Sequence, residues 1–423
     1  MAKYNKIERQ IAKVLERMPW LRDLIKFFYK RTIYLVYRKS GFSYELSKGY
    51  SLETPYSMIG KLDEKEEALF FGYYDKSPWN EKMSRAVFHS YAKNSKVVSL
   101  KLFDFEKNNI ETVGQTSTWN WQQGAMTQWL NNNEIIFNSE VKKGHLGSQI
   151  VDVRSNKSRS IDFPIQCIQP DGKQGISLNY KRLMKLRPDY GYQQEFINFR
   201  SEMPYDEDGL WVIDLEKNEV SLVITLQQLK ENVPTSEMSI TEHKVNHVMY
   251  SPDGASIIFL HRWLGKVGKW SRLYLYSFKS GELEILLDNK MVSHYSWKTN
   301  TEIVAWARFN EVDGYYLINT ETKKISEIAN RDFDLFGDGH PSSHPLNNEV
   351  VVSDSYPDKS RIRTLFTANL DSNELQKVGD FFSPWKFENE RRCDLHPRWS
   401  PDGKMISIDS AHTGKRRTYF IRC

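Results

Sequence analysis

The chain repeats itself. Asn246 to Gly254 reads Asn-His-Val-Met-Tyr-Ser-Pro-Asp-Gly, and Leu395 to Gly403 reads Leu-His-Pro-Arg-Trp-Ser-Pro-Asp-Gly. Each couples a histidine to a Ser-Pro-Asp-Gly turn. Strand-like alternation follows, as in Lys404 to Ser410. Two weaker copies lie between them, Ser293-His294-Tyr295-Ser296-Trp297 and Gly339-His340-Pro341-Ser342-Ser343. The histidines of the four copies, His247, His294, His340 and His396, are spaced by 47, 46 and 56 residues. A unit of that length, built from short strands, cannot bury its apolar faces alone and must stack on its neighbours.

Three earlier anchors extend the series: Gly72-Tyr73-Tyr74-Asp75-Lys76-Ser77-Pro78, Gln122-Gln123 leading to Trp129, and Ile168-Gln169-Pro170-Asp171-Gly172. Outer strands are joined by polar hairpins at Asp214–Asn218, Ser277–Gly281, Asn319–Lys323 and Asp371–Asn373. The third unit carries a long insertion, Lys181–Asp208. After its last inner strand the chain has only Thr418 to Cys423, one strand, so the final unit lacks its outermost strand. The segment around Tyr56–Leu62 is expected to supply it, which closes a ring and removes a sheet edge. The expected fold is all-β: a seven-bladed β-propeller over residues 49–423, preceded by an N-terminal basic amphipathic helical arm over residues 1–48.

Charge sets the arm apart. Residues 1–41 hold 11 Lys+Arg against 3 acids, whereas the rest of the chain is slightly acidic. The basicity is local, so no nucleic-acid partner is expected. Apolar residues from Ile7 to Phe28 recur at helical spacing over residues 5–37. Interleaved charges exclude a membrane span, and no cleavage site marks a signal peptide. The arm either packs on the body or lies on an anionic membrane surface. A cytoplasmic protein, at the inner face of a membrane in the second case, is expected. Three cysteines, Cys167, Cys393 and Cys423, fit a reducing compartment.

In a propeller, equivalent positions of different blades face one another across the central channel. The four histidines share one such position, and Tyr73 occupies it in the first unit. Fourteen residues further on stand His261, Arg308, Asp354 and Ser410, the last beside Asp409. A single histidine there reads as an inter-blade hydrogen bond. Four in register point to a metal centre, because imidazole is the commonest ligand near neutral pH. The ligand set is expected to be His294, His340, His396 and Asp394, holding a divalent metal, manganese or zinc. A structural zinc using Cys393 is the competing metal reading.

Asn246–Pro252, Val292–Trp297 and Asp394–Gly403 resemble the corresponding stretches of oligogalacturonate lyases, seven-bladed propellers related to the TolB-type repeat. The resemblance covers mainly residues 240–423. It implies a divalent metal, typically manganese, held by histidines and a glutamine, with a separate histidine as base. By position His247 matches the base, and His294 and His396 match ligands. The family's His-x-His pair reads Asp394-Leu395-His396 here; its glutamine and His340 find no counterpart.

That chemistry suits the residue types. Elimination from a uronate needs its carboxylate neutralised, by a metal or an arginine, and a base for the neighbouring C–H proton. His247 is the expected base, with Arg308 and Arg187 as catalytic cations and Tyr192, or its neighbour Tyr190, as stacking group or acid. Arg-Pro-Asp-Tyr-Gly-Tyr reads equally well as a tight surface turn. Tyr73, Tyr74, His89, Gln122, Gln123, Tyr180, Arg182, His261 and Arg398 are the expected sugar-binding set. Trp119 and Trp121 either join them or pack between blades. The expected partner is an acidic oligo- or polysaccharide. A non-catalytic glycan- or protein-binding propeller is the alternative, as is a transferase or processing factor of surface polysaccharide biosynthesis. No phosphate-binding glycine loop and no Gly-x-Ser-x-Gly is present.

Overall fold

The structure, a computed structural model, describes residues 19–61, 66–265, 268–329, 331–372 and 374–423. The Ser-Pro-Asp-Gly stretches form one kind of turn. Ser251 Oγ donates to Asp253 Oδ1 (2.6 Å) and accepts from Ser256 N (3.0 Å), and Gly254 N donates to Ser251 O (2.8 Å). Ser400, Asp402, Gly403 and Met405 repeat the set at 2.6, 2.9 and 2.9 Å. Gly254 and Gly403 stand at φ +72° and +71°, a conformation that glycine adopts without steric cost. Close approach is the second reason for glycine. A Cβ on Gly403 would meet the His344 ring at 2.3 Å, and one on Gly254 would meet the Gln169 side chain at 2.8 Å. His344 and Gln169 belong to the preceding units, so each turn also locks two neighbours together.

Strands follow one another in chain order within each repeat, except that Tyr44–Leu46 is added to the edge strand Leu375–Phe382. Among the described residues they form six hydrogen-bonded sheets: one of eight strands, one of five and four of four. The eight-stranded sheet holds the first and last repeats, joined where Arg416–Arg422 meets Ala68–Phe70 in parallel through Arg416–Ala68 and Arg417–Leu69. The core lies between neighbouring sheets. Met405–Ser410 is buried throughout. Its Ile406 and Ile408 pack on Val352 and Leu365 of the sheet before, while Met405 packs with Val87 and Phe88 of the first repeat. The last repeat is therefore wedged between its predecessor and the first.

Ring closure is done by Ser51–Glu53, antiparallel to Phe420–Arg422, with Arg422 forked onto Glu53 at 3.0 and 3.2 Å. This corrects the expectation that Tyr56–Leu62 would close it. Pro55 has no N–H for a ladder, and Thr54 caps a short helix, Pro55–Met58, which buries Tyr56 against Phe103. Residues 62–65 lie outside the described residues.

Of the expected helix, Pro19–Tyr37 is present; residues 5–18 lie outside the described residues. Tyr34 packs at 5.5 Å from Trp385, and the Arg31 guanidinium lies 4.5 Å from the same ring. Leu24, Phe27, Phe28, Leu35 and Val36 are exposed. No described helix is long and apolar enough to cross a membrane. The insertion of the third repeat forms a helix, Tyr180–Leu186, capped by Asn179, and a 3-10 turn, Pro188–Tyr190.

Candidate active site

His247, His294, His340 and His396 come from four successive sheets and meet. Their ring centroids follow one another at 5.8, 4.3 and 4.4 Å. Tyr73 lies 5.1 Å from His247 and 4.8 Å from His396, and Tyr74 lies 5.3 Å from His340. None of the six is more than 4% exposed. His247 and His396 have φ of +55° and +45°, unusual for a residue with a Cβ and concentrated at functional sites.

Three of the rings are held through Nδ1. His294 Nδ1 pairs with Asp338 Oδ1 (2.9 Å), His340 Nδ1 with Asp354 Oδ1 (2.7 Å), and His396 Nδ1 donates to the Gly72 carbonyl (2.8 Å). Bonding at Nδ1 fixes the tautomer and leaves Nε2 as the free lone pair, the arrangement of metal-ligating histidines. Nε2 of His340 and of His396 is buried and has no partner. His340, His396 and Asp394 each bring a ligand atom within 4.8 Å of the other two. The chemistry of this donor set, two imidazoles and a carboxylate with His294 beside them, suits a divalent ion such as manganese or zinc. His247 differs. Its Nε2 meets the Tyr73 hydroxyl at 3.2 Å and its Nδ1 has no partner. Burial, and then the Arg262 cation, push its pKa well below the ordinary histidine value, so the ring is neutral.

The carboxylates of the repeat have a structural task. Asp354 accepts from Leu395 N (3.1 Å) and His396 N (3.2 Å) of the next repeat, besides His340. Asp409 does the same for Phe71 N (3.2 Å) and Gly72 N (3.1 Å). Each clamps the following repeat's anchor and so sets the histidine geometry. Asp394 is ion-paired to Arg363 (2.8 Å) and Arg392. Burial alone would raise its pKa; the two guanidiniums hold it well below the carboxylate range. Arg392 reaches on to Asp189 (3.5 Å), which also faces Arg187 (3.6 Å). Tyr190, at the end of the same turn, caps His247 at 5.5 Å.

Several expected residues fall elsewhere. Tyr192 is fully buried, stacked on Tyr180 at 4.4 Å and bonded to Asn138 (2.8 Å); it can neither stack on a sugar nor serve as acid. Tyr180 donates to Ile165 O (2.8 Å) and is likewise core. Arg182 is neutralised by buried Asp208 (2.6 Å), so it grips no ligand. Arg308 forks onto Asp313 across its own hairpin at 2.7 and 3.1 Å. His261 pairs with His243 (2.8 Å) under Trp263, and His89 is packed against Gly124 and bonded to Ala125 N (3.0 Å). Arg398 donates to the carbonyls of Gly72 (2.6 Å) and Tyr73 (2.9 Å), a positioning contact. Gln122 donates to Arg392 O (2.6 Å), and the Gln123 backbone abuts Gly72. Arg187 alone of the expected cations stands at the rim. Cys393 packs with Phe387 and Ala411, its thiol pushed up to about 12 by burial; it joins no ligand group among the described residues, which removes the support for a structural zinc there. Sequence reasoning missed Asp338, Arg262, Arg363, Tyr356 and Lys244. Asp338 stands two residues before His340, but its side chain pairs with His294 of the preceding repeat. Burial and the Arg262 and Arg187 cations push Lys244 down to about 7.

No known family profile matches this chain, and no curated protein matches it in sequence. Solved structures do match. The oligogalacturonate lyase of Vibrio parahaemolyticus superposes with a TM-score of 0.60 at 12% identity, covering 90% of this chain and 96% of that one. An oligogalacturonate lyase in complex with manganese gives 0.58 at 14% identity over 88% and 96%. The β-propeller domain of the Trilobed protease of Pyrococcus furiosus gives 0.50 at 10% over 85% and 94%. The chain is a β-propeller. At such identities the likeness speaks for the propeller fold alone; chemistry has to be argued from the side chains.

Proposed function

We propose that this propeller is a metal-assisted carbohydrate lyase that cleaves an acidic, uronate-containing oligo- or polysaccharide by β-elimination. One observation carries the reading. Four buried histidines from four repeats meet at one point, three of them anchored at Nδ1. The manganese-bound lyase among the structural neighbours supports it. In this reading His294, His340, His396 and Asp394 hold a divalent ion, which when bound supplies positive charge to the substrate carboxylate. His247 accepts the C–H proton at its free Nδ1 while Tyr73 holds the ring through Nε2. Arg187 grips a second carboxylate at the rim, and Tyr190, lying on His247, must shift for the sugar to enter.

Further parts of the reading concern the whole chain. The ring counts seven blades, with the eight-stranded sheet divided at its short parallel seam and the arm ending at residue 48. The exposed apolar side chains of Pro19–Tyr37, with the exposed cations Lys26 within the helix and Arg38 just after it, suit an anionic membrane surface.

The test is an ultraviolet assay for unsaturated uronate on a panel of acidic glycans. Wild-type protein loaded with manganese produces the absorbance and His247→Ala does not; no absorbance on any uronate rejects the reading. One observation favours a non-catalytic binding role instead: Asp394 is already neutralised by two arginines and the histidines are closed over. Glycan binding without product would establish that alternative.

A further inference from the structure

The two ends of the ring differ. In the sheet that carries His247, His243 and Lys244 face Trp263 and Arg262, so the histidine end is where the strand turns over at Gly265 and Gly268. In the next sheet Val292 faces Ala307, which puts the Phe309–Val312 turn at the same end as His294. Leu264 and Val312 stand at these two tips, 59% and 48% exposed. Leu335 lies in the 3-10 turn Arg331–Phe336 that leads towards His340, and Val233 and Ile240 lie in the connection that leads to His243. All three are more than half exposed. The arm is at this end too, because Tyr34 packs on Trp385, between the strand ending at Phe382 and His396. At the opposite end the same two sheets turn through Lys279-Ser280 and Glu321-Thr322. The exposed large apolar side chains there, among the described residues, are Leu346 and Val220. Apolar side chains held out to solvent by several repeats, all at one end of the ring, mark a binding face.

Charge names the partner. Residues 24–44 contain Lys26, Lys30, Arg31, Arg38 and Lys39 and no acid. On the body, Lys143, Lys269, Lys290 and Lys386 are exposed on connections of the same end. Asp313, Glu202 and Glu242, acids of that end, are already paired with Arg308 and Lys185. Apolar tips among free cations are what an anionic lipid surface binds. We infer that the histidine end of the ring docks on an anionic bilayer, with Leu264, Val312 and Leu335 of the body inserting beside the arm. This deepens the membrane reading of the arm and adds residues that do not belong to it. Tyr190 caps His247 at that same end, so the centre faces the lipid. On the lyase reading, the substrate is then an acidic glycan carried on a membrane lipid.

Flotation of the full chain with vesicles tests the docking, using pure phosphatidylcholine against equal parts of phosphatidylcholine and phosphatidylglycerol. The wild type should bind the mixed vesicles at least about tenfold more strongly than the neutral ones. Leu264→Ser combined with Leu335→Ser should weaken that binding about tenfold or more, the scale of one buried leucine. Leu346→Ser, at the opposite end, should leave it unchanged. All three side chains are exposed, so the variants keep the core. No flotation of the wild type, equal flotation with both vesicles, or an unchanged Leu264→Ser, Leu335→Ser double variant overturns the inference. Self-association that this double variant abolishes, without flotation, assigns the face to a second copy and overturns it as well. His247→Ala should float like the wild type. Flotation without unsaturated uronate from any glycan upholds the docking face and rejects the lyase reading. In a protein that floats and eliminates, equal rates on a lipid-tethered glycan and the same glycan free would overturn the lipid-carried substrate.

Discussion

His247 is the residue on which turnover depends in this account. Its replacement by alanine should lower turnover by roughly 10²–10⁴-fold, the usual worth of a positioned base, and leave manganese binding intact by calorimetry. Asp338→Asn addresses orientation. With the carboxylate replaced by a neutral amide, His294 keeps an acceptor at Nδ1 but loses the charge that polarises its ring, and manganese affinity should fall by about 10–100-fold with little change in melting temperature. Stability has its own histidine dependence. Burial pushes His89 and His412 down to about 4, and His261 well below its ordinary value. In the unfolded chain these groups take up protons from about pH 6.5. The native state refuses them, so their contribution is complete above that pH and is lost as pH falls towards 4. A melting temperature that stays flat from pH 7 to about 4.5 contradicts this. The four converging histidines were readable from the repeat alone, because register equals position in a propeller. Asp338, Arg262 and Arg363 were not, because each belongs to a single repeat and no register names it. Tyr190 and Tyr192 show the limit at two residues' distance. The 3-10 turn ends between them, sending one ring to His247 and the other onto Tyr180 in the core.

The Ser-Pro-Asp-Gly turn was predictable as a turn, but its inter-repeat contact was not. Gly403 and Gly281 share φ +71°, yet a Cβ on Gly281 meets nothing within 4 Å whereas one on Gly403 runs into His344. Gly281→Ala should cost only the left-handed strain, about 1 kcal/mol. Gly403→Ala should cost clearly more, read as the larger drop in melting temperature. Equal drops would mean that the His344 contact carries no weight. The closing strand was misplaced by a few residues for a local reason. Alternation around Tyr56 looks like a strand, but Thr54 and Pro55 start a helix there.

A ring is only as stable as its seam. Removing residues 1–53 strips Ser51–Glu53 from Phe420–Arg422 and Tyr44–Leu46 from Gly379–Phe381, and leaves open edges, which invite pairing between molecules. The truncated protein should lose its monodisperse profile in size-exclusion chromatography at concentrations where the full chain keeps it. The seam also matters for chemistry, since Asp409 of the last repeat holds Gly72, whose carbonyl orients His396. Fold and centre are thus one construction, and the centre is the claim most open to direct trial. The measurement is the ultraviolet absorbance of unsaturated uronate released from an acidic glycan by chelator-stripped protein before and after manganese is restored. Stripped protein should yield no product, reloading should restore it, and the His340→Ala, His396→Ala double variant should not recover. Equal product from stripped and reloaded protein, or recovery in that variant, would contradict it.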